Sequence, residues 1–134
     1  MSEEDLLQLV NEIARKLEEL AEKSEKKEVT VTATDSNFDD LITKNRVVFV
    51  DCWAPWCAPC HIYEPIYSKI AEEYKDKAVF ARLNVDENPR TADKYNVMNI
   101  PTTLIFVDGK LVDQIVGAVD EDTLREYVER YINA

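Results

Sequence analysis

The residues in this sequence best suited to chemistry are two cysteines separated by two positions, Cys57 and Cys60. They lie in the segment 53–61, WAPWCAPCH, where an apolar run is followed by the start of a predicted helix. Backbone N–H groups and the positive end of the helix dipole stabilise a thiolate there, so we expect a lowered pKa for Cys57. Cys60 follows one helical turn later and can form a disulfide with Cys57 in suitable geometry. The pair predicts a redox dithiol in which Cys57 attacks and Cys60 releases the product.

Two residues, Ala58 and Pro59, separate the cysteines and are expected to support them. Pro59 suits the start of a helix because its missing N–H falls among groups that have no partner within the helix. It also stiffens the loop. Two ordinary buried cysteines are the alternative interpretation, but the two prolines and two tryptophans of this segment do not resemble core residues.

Several separated parts of the sequence resemble, in the same order, the pattern of the thioredoxin family. They are the strand 47–51 (VVFVD), the segment 56–60 (WCAPC), Pro65, the segment 100–102 (IPT), Gly109 and Gly117. The commonest family motif has glycine where this chain has Ala58 and lysine or arginine where it has His61. The resemblance covers about residue 28 to the C-terminus. It therefore predicts an N-terminal amphipathic helical extension at 1–27 and a thioredoxin domain at 28–134.

The resemblance implies an α/β fold, the thioredoxin fold, with a central mixed β-sheet flanked by helices. It also implies a protein-disulfide reductase whose redox group is the Cys57–Cys60 disulfide and which needs no bound cofactor. Its expected partners are disulfide-containing client proteins and a flavoprotein like thioredoxin reductase. The alternative is a disulfide oxidase or isomerase of the same fold, because the reduction potential decides the direction of exchange.

A zinc site is a different possibility, since Cys52, Cys57, Cys60 and His61 are all potential ligands. Zinc sites usually combine two separated pairs of ligands, whereas Cys52 lies on a strand and faces away from the loop. We therefore expect no metal and assign Cys52 to the core. A third possibility is a scaffold with a vestigial redox site, but both cysteines of the pair are intact.

An aspartate, Asp51, interrupts the apolar strand that precedes the cysteines. Burial of a carboxylate disfavours its charged form, so a raised pKa is expected. The resemblance implies that Asp51 acts as general base or acid for Cys60. Arg82 occupies a position where the family often has a lysine, so it could offset the charge of Asp51; exposure to solvent is the competing interpretation.

Two small segments are expected to contact the substrate backbone. The resemblance implies that Pro101 follows a cis peptide bond and packs against the cysteines, and that the backbone of Ile100 pairs with substrate. An X-Pro bond is the main place where a cis peptide occurs. Gly117 and Ala118 should form a flank of small residues that a substrate can approach closely.

Two tryptophans and the single histidine surround the cysteines in the sequence. The resemblance places Trp56 on the docking face and Trp53 beneath and beside the loop. An aromatic side chain beside a thiol can provide an apolar surface that excludes water. We expect His61 to be solvated rather than catalytic.

The composition excludes several classes of function. The chain has 134 residues, a formal charge of −11 and a pI near 4.5. An acidic surface argues against binding to nucleic acid or anionic membranes, because phosphate binding requires clustered cations. The sequence has no apolar run of membrane-spanning length and no signal-peptide pattern, so we expect a soluble cytoplasmic protein. Three cysteines do not suit a secreted disulfide framework.

The elements that must position these residues follow from apolar spacing. The domain reads β α β α β α β β α, with Asp35-Ser36 as a turn and cap before its first helix. The helix that contains Pro65 has Ile62, Ile66 and Ile70 on one face, with Tyr63, Tyr67 and Tyr74 beside it. Asp108-Gly109 predicts a hairpin turn.

Before the domain, residues 2 to about 27 predict one helix, opened by a Ser2-x-x-Asp5 capping pattern. Its apolar stripe consists of Leu6, Val10, Ile13, Leu17 and Leu20. We expect this stripe to dock on its own domain or to pair with another copy of the chain; a solvated, partly frayed helix is the alternative.

Overall fold

The computed structural model describes residues 2–26 and 29–134, except for the side chains of 18–26. The helices are α1 (Glu3–Lys26), α2 (Phe38–Lys44), α3 (Ala58–Glu73), α4 (Pro89–Lys94) and α5 (Glu121–Ile132). The strands are β1 (Val31–Ala33), β2 (Val47–Trp53), β3 (Val79–Asn84), β4 (Thr102–Val107) and β5 (Lys110–Val116). The order of elements within the domain is the predicted one. The predicted end of the first helix near Lys27 and the domain boundary between 27 and 28 lie outside the described residues.

The five strands form one mixed sheet in the order β1-β3-β2-β4-β5. Strands β1, β3 and β2 are parallel, whereas β4 runs antiparallel to β2 and β5 antiparallel to β4. Strand β2 lies at the centre because its side chains from Val47 to Cys52 are all buried, as expected for a strand covered on both faces. The α/β fold with a central mixed sheet is confirmed.

Helices α3 and α5 cover one face of the sheet, and α2 covers the other. The buried face of α3 contains Tyr63, Tyr67 and Ile70, whereas Ile62 is exposed. Of the three isoleucines predicted to share one face, only Ile70 is buried, and the tyrosines beside them fill the contact with the sheet. The Tyr67 hydroxyl lies 3.0 Å from the carbonyl oxygen of Phe49 and 2.8 Å from that of Ala81, so the larger aromatic side chains reach the sheet.

Asp35 does not cap α2, because the residue at the start of that helix is Asn37 and it makes no side-chain cap. Instead, the Asp35 carboxylate accepts hydrogen bonds from the backbone N–H of Arg90 (3.3 Å) and Thr91 (2.9 Å) in the first turn of α4. Burial acts to raise the pKa of Asp35, but a hydrogen bond from the Thr91 hydroxyl (2.7 Å) and these two backbone bonds together lower it. Asp35 therefore ties the loop after β1 to α4.

The hairpin between β4 and β5 has the predicted turn. Asp108 and Gly109 both have positive φ, 52° and 79°. A two-residue turn with two positive φ values matches the twist of the flanking strands. It holds β5 against β4, so Val116 pairs with Thr102 near the active site.

Helix α1 begins with the predicted capping pattern. The Ser2 hydroxyl accepts a hydrogen bond from the backbone N–H of Asp5, and the Asp5 carboxylate accepts one from the backbone N–H of Ser2, both at 3.3 Å. The side chains of this helix that the structure describes, from residue 3 to residue 17, are all exposed, so the part of its apolar stripe from Leu6 to Leu17 does not pack on the domain. None of the described helices is long and apolar enough to cross a membrane.

Candidate active site

The candidate site lies where β2 is followed by α3. Cys57 is the N-cap of α3, and its Sγ accepts a hydrogen bond from the backbone N–H of Cys60 at 3.3 Å. The two residues form a disulfide with a Cα–Cα distance of 5.3 Å. Pro59 lies in the first helical turn, where no intrahelical partner is needed. A thiolate at this N-cap would be stabilised by the same backbone N–H group and by the helix dipole.

The two sulfur-bearing residues differ in accessibility. Cys60 is fully buried, whereas Cys57 keeps a small exposed area at the protein surface. They form a cluster with Ala54, against which Trp53 and Ile100 pack. A disulfide of another protein can therefore approach Cys57 but not Cys60.

The Ile100–Pro101 segment lies directly against the nucleophile. The peptide bond between these residues is cis, which is the isomer implied by the resemblance. The carbonyl oxygen of Ile100 lies 3.8 Å from Cys57 Sγ. Pro101 is buried, and its carbonyl oxygen accepts a hydrogen bond from the backbone N–H of Gly117 at 2.7 Å.

Gly117 and Ala118 border the same side of the site. Gly117 has a φ of 92°, and nothing lies within 4 Å of the place where a Cβ would be. A side chain there would strain the backbone and would occupy the open space beside Pro101. Ala118 is exposed. The two residues leave a strip of accessible backbone on this side of the site.

Asp51 is fully buried in β2. Burial raises its pKa to about 6, and the positive charge of Arg82 partly opposes that rise. Its Oδ2 atom pairs with Arg82, whereas its Oδ1 atom has no hydrogen-bond partner among the described residues. The negative charge of the Asp51 carboxylate is therefore only partly balanced by its pairing with Arg82. A buried carboxylate in such surroundings is suited to accept a proton near neutral pH.

Arg82 is a neighbour of Asp51 and not a solvated surface residue. Its side chain is 17% exposed, and its Nε lies 3.4 Å from Asp51 Oδ2. The guanidinium group stacks 4.4 Å from the centre of the Trp53 ring, and its Nη1 lies 3.9 Å from the Glu64 carboxylate. Strand register produces this contact because Asp51 and Arg82 are paired on adjacent parallel strands. Arg82 is thus held between a carboxylate and an aromatic ring.

Replacing Arg82 with glutamine should raise the pKa of Asp51 above its value of about 6, because the positive charge of Arg82 favours the ionised carboxylate. The titration of Asp51 can be followed by NMR of its side-chain carboxyl carbon. Arg130→Gln makes the same charge change on α5, where Arg130 is exposed, and should leave the titration of Asp51 unchanged. An unaltered Asp51 titration in Arg82→Gln would contradict the role assigned to the guanidinium group.

A pair of buried hydroxyl groups near Asp51 was not predicted from the sequence. The Tyr63 hydroxyl lies 2.9 Å from the Thr103 hydroxyl, and Thr103 is paired with Asp51 between β2 and β4. Burial raises the pKa of Tyr63, and the charge of Asp51 adds to this effect. Two threonines at the start of an otherwise apolar strand were the available signal, but the partner of Thr103 lies 40 positions away. This pair keeps the surroundings of Asp51 polar without binding the carboxylate.

The two residues beside the loop have different surroundings. Trp56 is 71% exposed, and its indole N–H donates a hydrogen bond to Asp86 at 2.9 Å. His61 is also exposed, and its Nε2 lies 2.7 Å from the Pro55 carbonyl oxygen. Asp86 was not predicted as part of the site, yet it fixes the orientation of the exposed indole ring.

Cys52 belongs to the core on the opposite side of β2 from Asp51. It is fully buried among apolar residues, and burial raises the pKa of its thiol. Within the part of the chain that the structure describes, no three His, Cys, Asp or Glu side chains are grouped so that they could bind a metal ion. The zinc interpretation has no support from the positions of Cys52, Cys57, Cys60 and His61.

Comparison with known proteins agrees with this geometry. The thioredoxin family model matches residues 29–130. The chain is 46% identical over 102 residues to the thioredoxin of Staphylococcus saprophyticus, covering 76% of this chain and 97% of that protein. It is 44% identical over 101 residues to thioredoxin 2 of Chlorobaculum tepidum, covering 75% of this chain and 93% of that protein. A mutant thioredoxin from Halobacterium salinarum has a similar structure, with a TM-score of 0.72 and 36% identity over 77% of this chain and 90% of that one. With its dithiol at the start of α3 and its sheet of the same type, the chain belongs to the thioredoxin family.

Proposed function

We propose that this protein is a thiol–disulfide reductase that reduces disulfides in client proteins by reversible oxidation of Cys57 and Cys60. The observation that carries this function is the disulfide at the start of α3, in which Cys57 retains an exposed area and Cys60 has none. This asymmetry supports an attacking role for Cys57 and a releasing role for Cys60. The curated relatives named above are themselves called thioredoxins.

The reaction starts from the reduced protein. The Cys57 thiolate attacks one sulfur of a client disulfide, a new S–S bond forms, and the other client sulfur leaves as a thiolate. The Cys60 thiolate then attacks Cys57 Sγ and displaces the second client sulfur. Two electrons pass to the client, and the Cys57–Cys60 disulfide remains.

Asp51 accepts the proton that Cys60 must lose before the second step. With a pKa of about 6, the Asp51 carboxylate is mostly ionised at pH 7 and still basic enough to accept a proton. Arg82 sets this balance because its charge favours the ionised form. Trp53 holds Arg82 in place by stacking on the guanidinium group.

The docking surface for clients surrounds Cys57. Trp56 supplies an exposed apolar ring, and the Ile100 backbone lies beside Cys57 Sγ. Gly117 and Ala118 provide the accessible strip next to Pro101. An extended client segment would lie along this strip and place its disulfide over Cys57. Ala58 and Pro59 shape the helix start and do not contact the client backbone in this assignment.

The redox-active disulfide is the only redox group that this function requires. We assign the return of electrons to a flavoprotein like thioredoxin reductase, and the clients to disulfide-containing proteins in general. We also assign the protein to the cytoplasm, because its composition and its odd number of cysteines suit a reducing compartment.

The chain divides into an extension at 1–27 and a catalytic domain at 28–134. Two observations support this division: the family match begins at residue 29, and the first strand begins at Val31. Every residue assigned to the reaction lies within the second part.

The reduced protein should accelerate the reduction of insulin by dithiothreitol. Treatment of the reduced protein with iodoacetamide should abolish this activity, because the accessible Cys57 thiolate is alkylated. The control is protein that is treated while oxidised and then reduced, since the disulfide protects both sulfurs; this sample should keep full activity. Equal activity in the two samples would contradict a reaction through Cys57.

A further inference from the structure

A row of three polar side chains crosses the centre of the sheet on the face that α3 covers. Strand β2 lies between β3 and β4, and Asp51 of β2 is paired with Arg82 on one side and with Thr103 on the other. Residues paired across neighbouring strands point to the same face, and in an antiparallel pair their Cβ atoms lie roughly 5 Å apart. Asp51 therefore has a cation beside it on β3 and a hydroxyl group beside it on β4.

The two oxygens of the Asp51 carboxylate have different surroundings in this row. Oδ2 lies 3.4 Å from Arg82 Nε, whereas Oδ1 is buried and has no hydrogen-bond partner among the residues that the structure describes. A buried acceptor without a donor costs free energy, and the cost is larger when the group is charged. Any dipole that points its positive end at this carboxylate therefore favours its ionised form.

The hydroxyl groups of Tyr63 and Thr103 have one proton more than their hydrogen bond uses. Each hydroxyl carries one proton and can also accept hydrogen bonds. The two oxygens lie 2.9 Å apart, and among the described residues this is the one hydrogen bond that either side chain makes. Both side chains are fully buried, so the second proton cannot be donated to bulk water. A donor without an acceptor thus lies in the same buried layer as an acceptor without a donor.

The chemistry of the two hydroxyl groups indicates which proton is free. The phenol of Tyr63 is the more acidic of the two and the better donor, so it donates to Thr103 Oγ1. The proton of Thr103 is then free to turn toward Asp51. Thr103 makes no direct hydrogen bond with Asp51 Oδ1, so it acts on the carboxylate as an oriented dipole. Such a dipole acts strongly in an interior of low dielectric constant.

The other titratable groups near Asp51 do not supply this proton. Glu64 of α3 is acidic, and its charge raises the pKa of Asp51. The Tyr67 hydroxyl donates to backbone carbonyl groups of the sheet. Cys60, at the start of α3, has no proton in the disulfide, and Cys52 lies on the opposite face of β2. Among the described groups, the hydroxyl of Thr103 is therefore the one placed to complement Arg82.

We propose that Tyr63 and Thr103 are positioning residues for the second step of the reaction. Tyr63 orients the Thr103 hydroxyl, and the dipole of that hydroxyl stabilises the ionised form of Asp51 from the β4 side, as Arg82 does from the β3 side. Asp51 then stays ionised at a lower pH and remains able to accept the proton of Cys60. The effect on the rate rests on the proposed function, whereas the effect on the ionisation of Asp51 does not.

NMR titration of the Asp51 carboxyl carbon in the oxidised full chain tests the proposal without an activity measurement. Thr103→Val keeps the shape of the side chain and removes the hydroxyl, so the pKa of Asp51 should rise above its value of about 6 by roughly 0.5 or more. Thr103→Ser keeps a hydroxyl and should leave the titration close to the original. Tyr63→Phe should give a smaller rise, because the Thr103 proton remains but loses the partner that orients it.

Two further variants separate this effect from a loss of packing. Tyr74→Phe removes a hydroxyl that bonds to Glu129 at the far end of α3 and should leave the titration of Asp51 unchanged. Tyr63→Phe with Thr103→Val removes both hydroxyl groups, leaves neither unpaired, and should show the rise found in Thr103→Val. Circular dichroism establishes which variants are folded. An unchanged Asp51 titration in either folded variant that lacks the Thr103 hydroxyl, or an equal rise in Thr103→Ser, would overturn the proposal.

The pH dependence of the second step tests the effect on the reaction. Reduced protein is mixed rapidly with a small aromatic disulfide, and the rate of release is measured as a function of pH. In Thr103→Val the midpoint of this profile should move upward by the same amount as the titration of Asp51. A rate lowered equally at every pH with an unchanged titration would show that the pair is only structural and would overturn the proposal. A titration that moves without the rate profile would instead refute the use of Asp51 as proton acceptor in the proposed function, and not its stabilisation by Thr103.

Discussion

Replacing Cys60 with serine should stop turnover and leave the client protein covalently attached to Cys57. The Cys57 thiolate can still attack, but no second thiol is present to displace the client from Cys57 Sγ. The rate of client reduction should fall about a thousandfold or more, because nucleophile and releasing group act as one unit. A stable mixed disulfide should appear on gels run without reductant and disappear when reductant is added.

Two variants serve as controls for this trap. Cys57→Ser should also be inactive but should capture no client, because it lacks the attacking sulfur. Cys52→Ala should keep full activity, since Cys52 is buried in the core on the other side of β2. Capture of clients by Cys57→Ser, or none by Cys60→Ser, would reverse or refute the assigned order of attack.

Replacing Asp51 with asparagine should stabilise the protein above pH 6 and slow its second chemical step. The pKa of Asp51 rises from 3.8 to about 6 in the folded state, so between these values the folded protein holds a proton that the unfolded chain has lost. Stability from this group is therefore present below pH 3.8 and is lost as the pH rises to about 6. At pH 8 the buried, ionised Asp51 carboxylate therefore lowers the free energy of unfolding by about 3 kcal/mol, and asparagine removes this loss.

Denaturant unfolding of the protein and Asp51→Asn at pH 3.5 and pH 8 measures this effect. The increase in unfolding free energy that Asp51→Asn causes should be large at pH 8 and small at pH 3.5. Asp76→Asn makes the same change at an exposed position in the loop before β3 and should alter stability little at either pH. A gain of the same size at both pH values would show that ionisation of Asp51 is not its cause.

The same substitution should slow release from the mixed disulfide at least tenfold near pH 7, because Cys60 loses its proton acceptor. The rate of the second step can be measured by rapid mixing of reduced protein with a small aromatic disulfide. The difference in rate between Asp51→Asn and the unaltered protein should shrink as the pH rises, because the Cys60 thiol then ionises without a nearby proton acceptor. A deficit that is constant with pH would indicate a structural effect of the substitution instead.

The elements of the fold were largely predictable because their signals are local. The apolar run of β2, the turn at Asp108 and Gly109, and the reciprocal cap of Ser2 and Asp5 each depend on residues close in the chain. Periodicity placed Ile62, Ile66 and Ile70 on one face of α3, but of these three only Ile70 is buried. The helix has more apolar residues than one buried face can hold, and the sheet packs against Tyr63 instead.

Contacts between distant segments were harder to predict. Asp35 was assigned to the cap of the adjacent helix, but its carboxylate binds the backbone of Thr91, 56 residues further along the chain. The pair of Tyr63 and Thr103 was not predicted for the same reason. Neither contact has a signal within one or two helical turns of the residues that make it.

The amino-acid sequence by itself determined a dithiol at a helix start, a carboxylate in the strand before it and an amphipathic helix ahead of the domain. All three follow from residue types at short spacing. Tertiary structure alone decided that Arg82 lies beside Asp51, that the Ile100 carbonyl lies beside Cys57 Sγ and that Cys60 is hidden. Those positions depend on the register between strands and on the packing of α3 against the sheet, which bring together residues that are far apart in the chain.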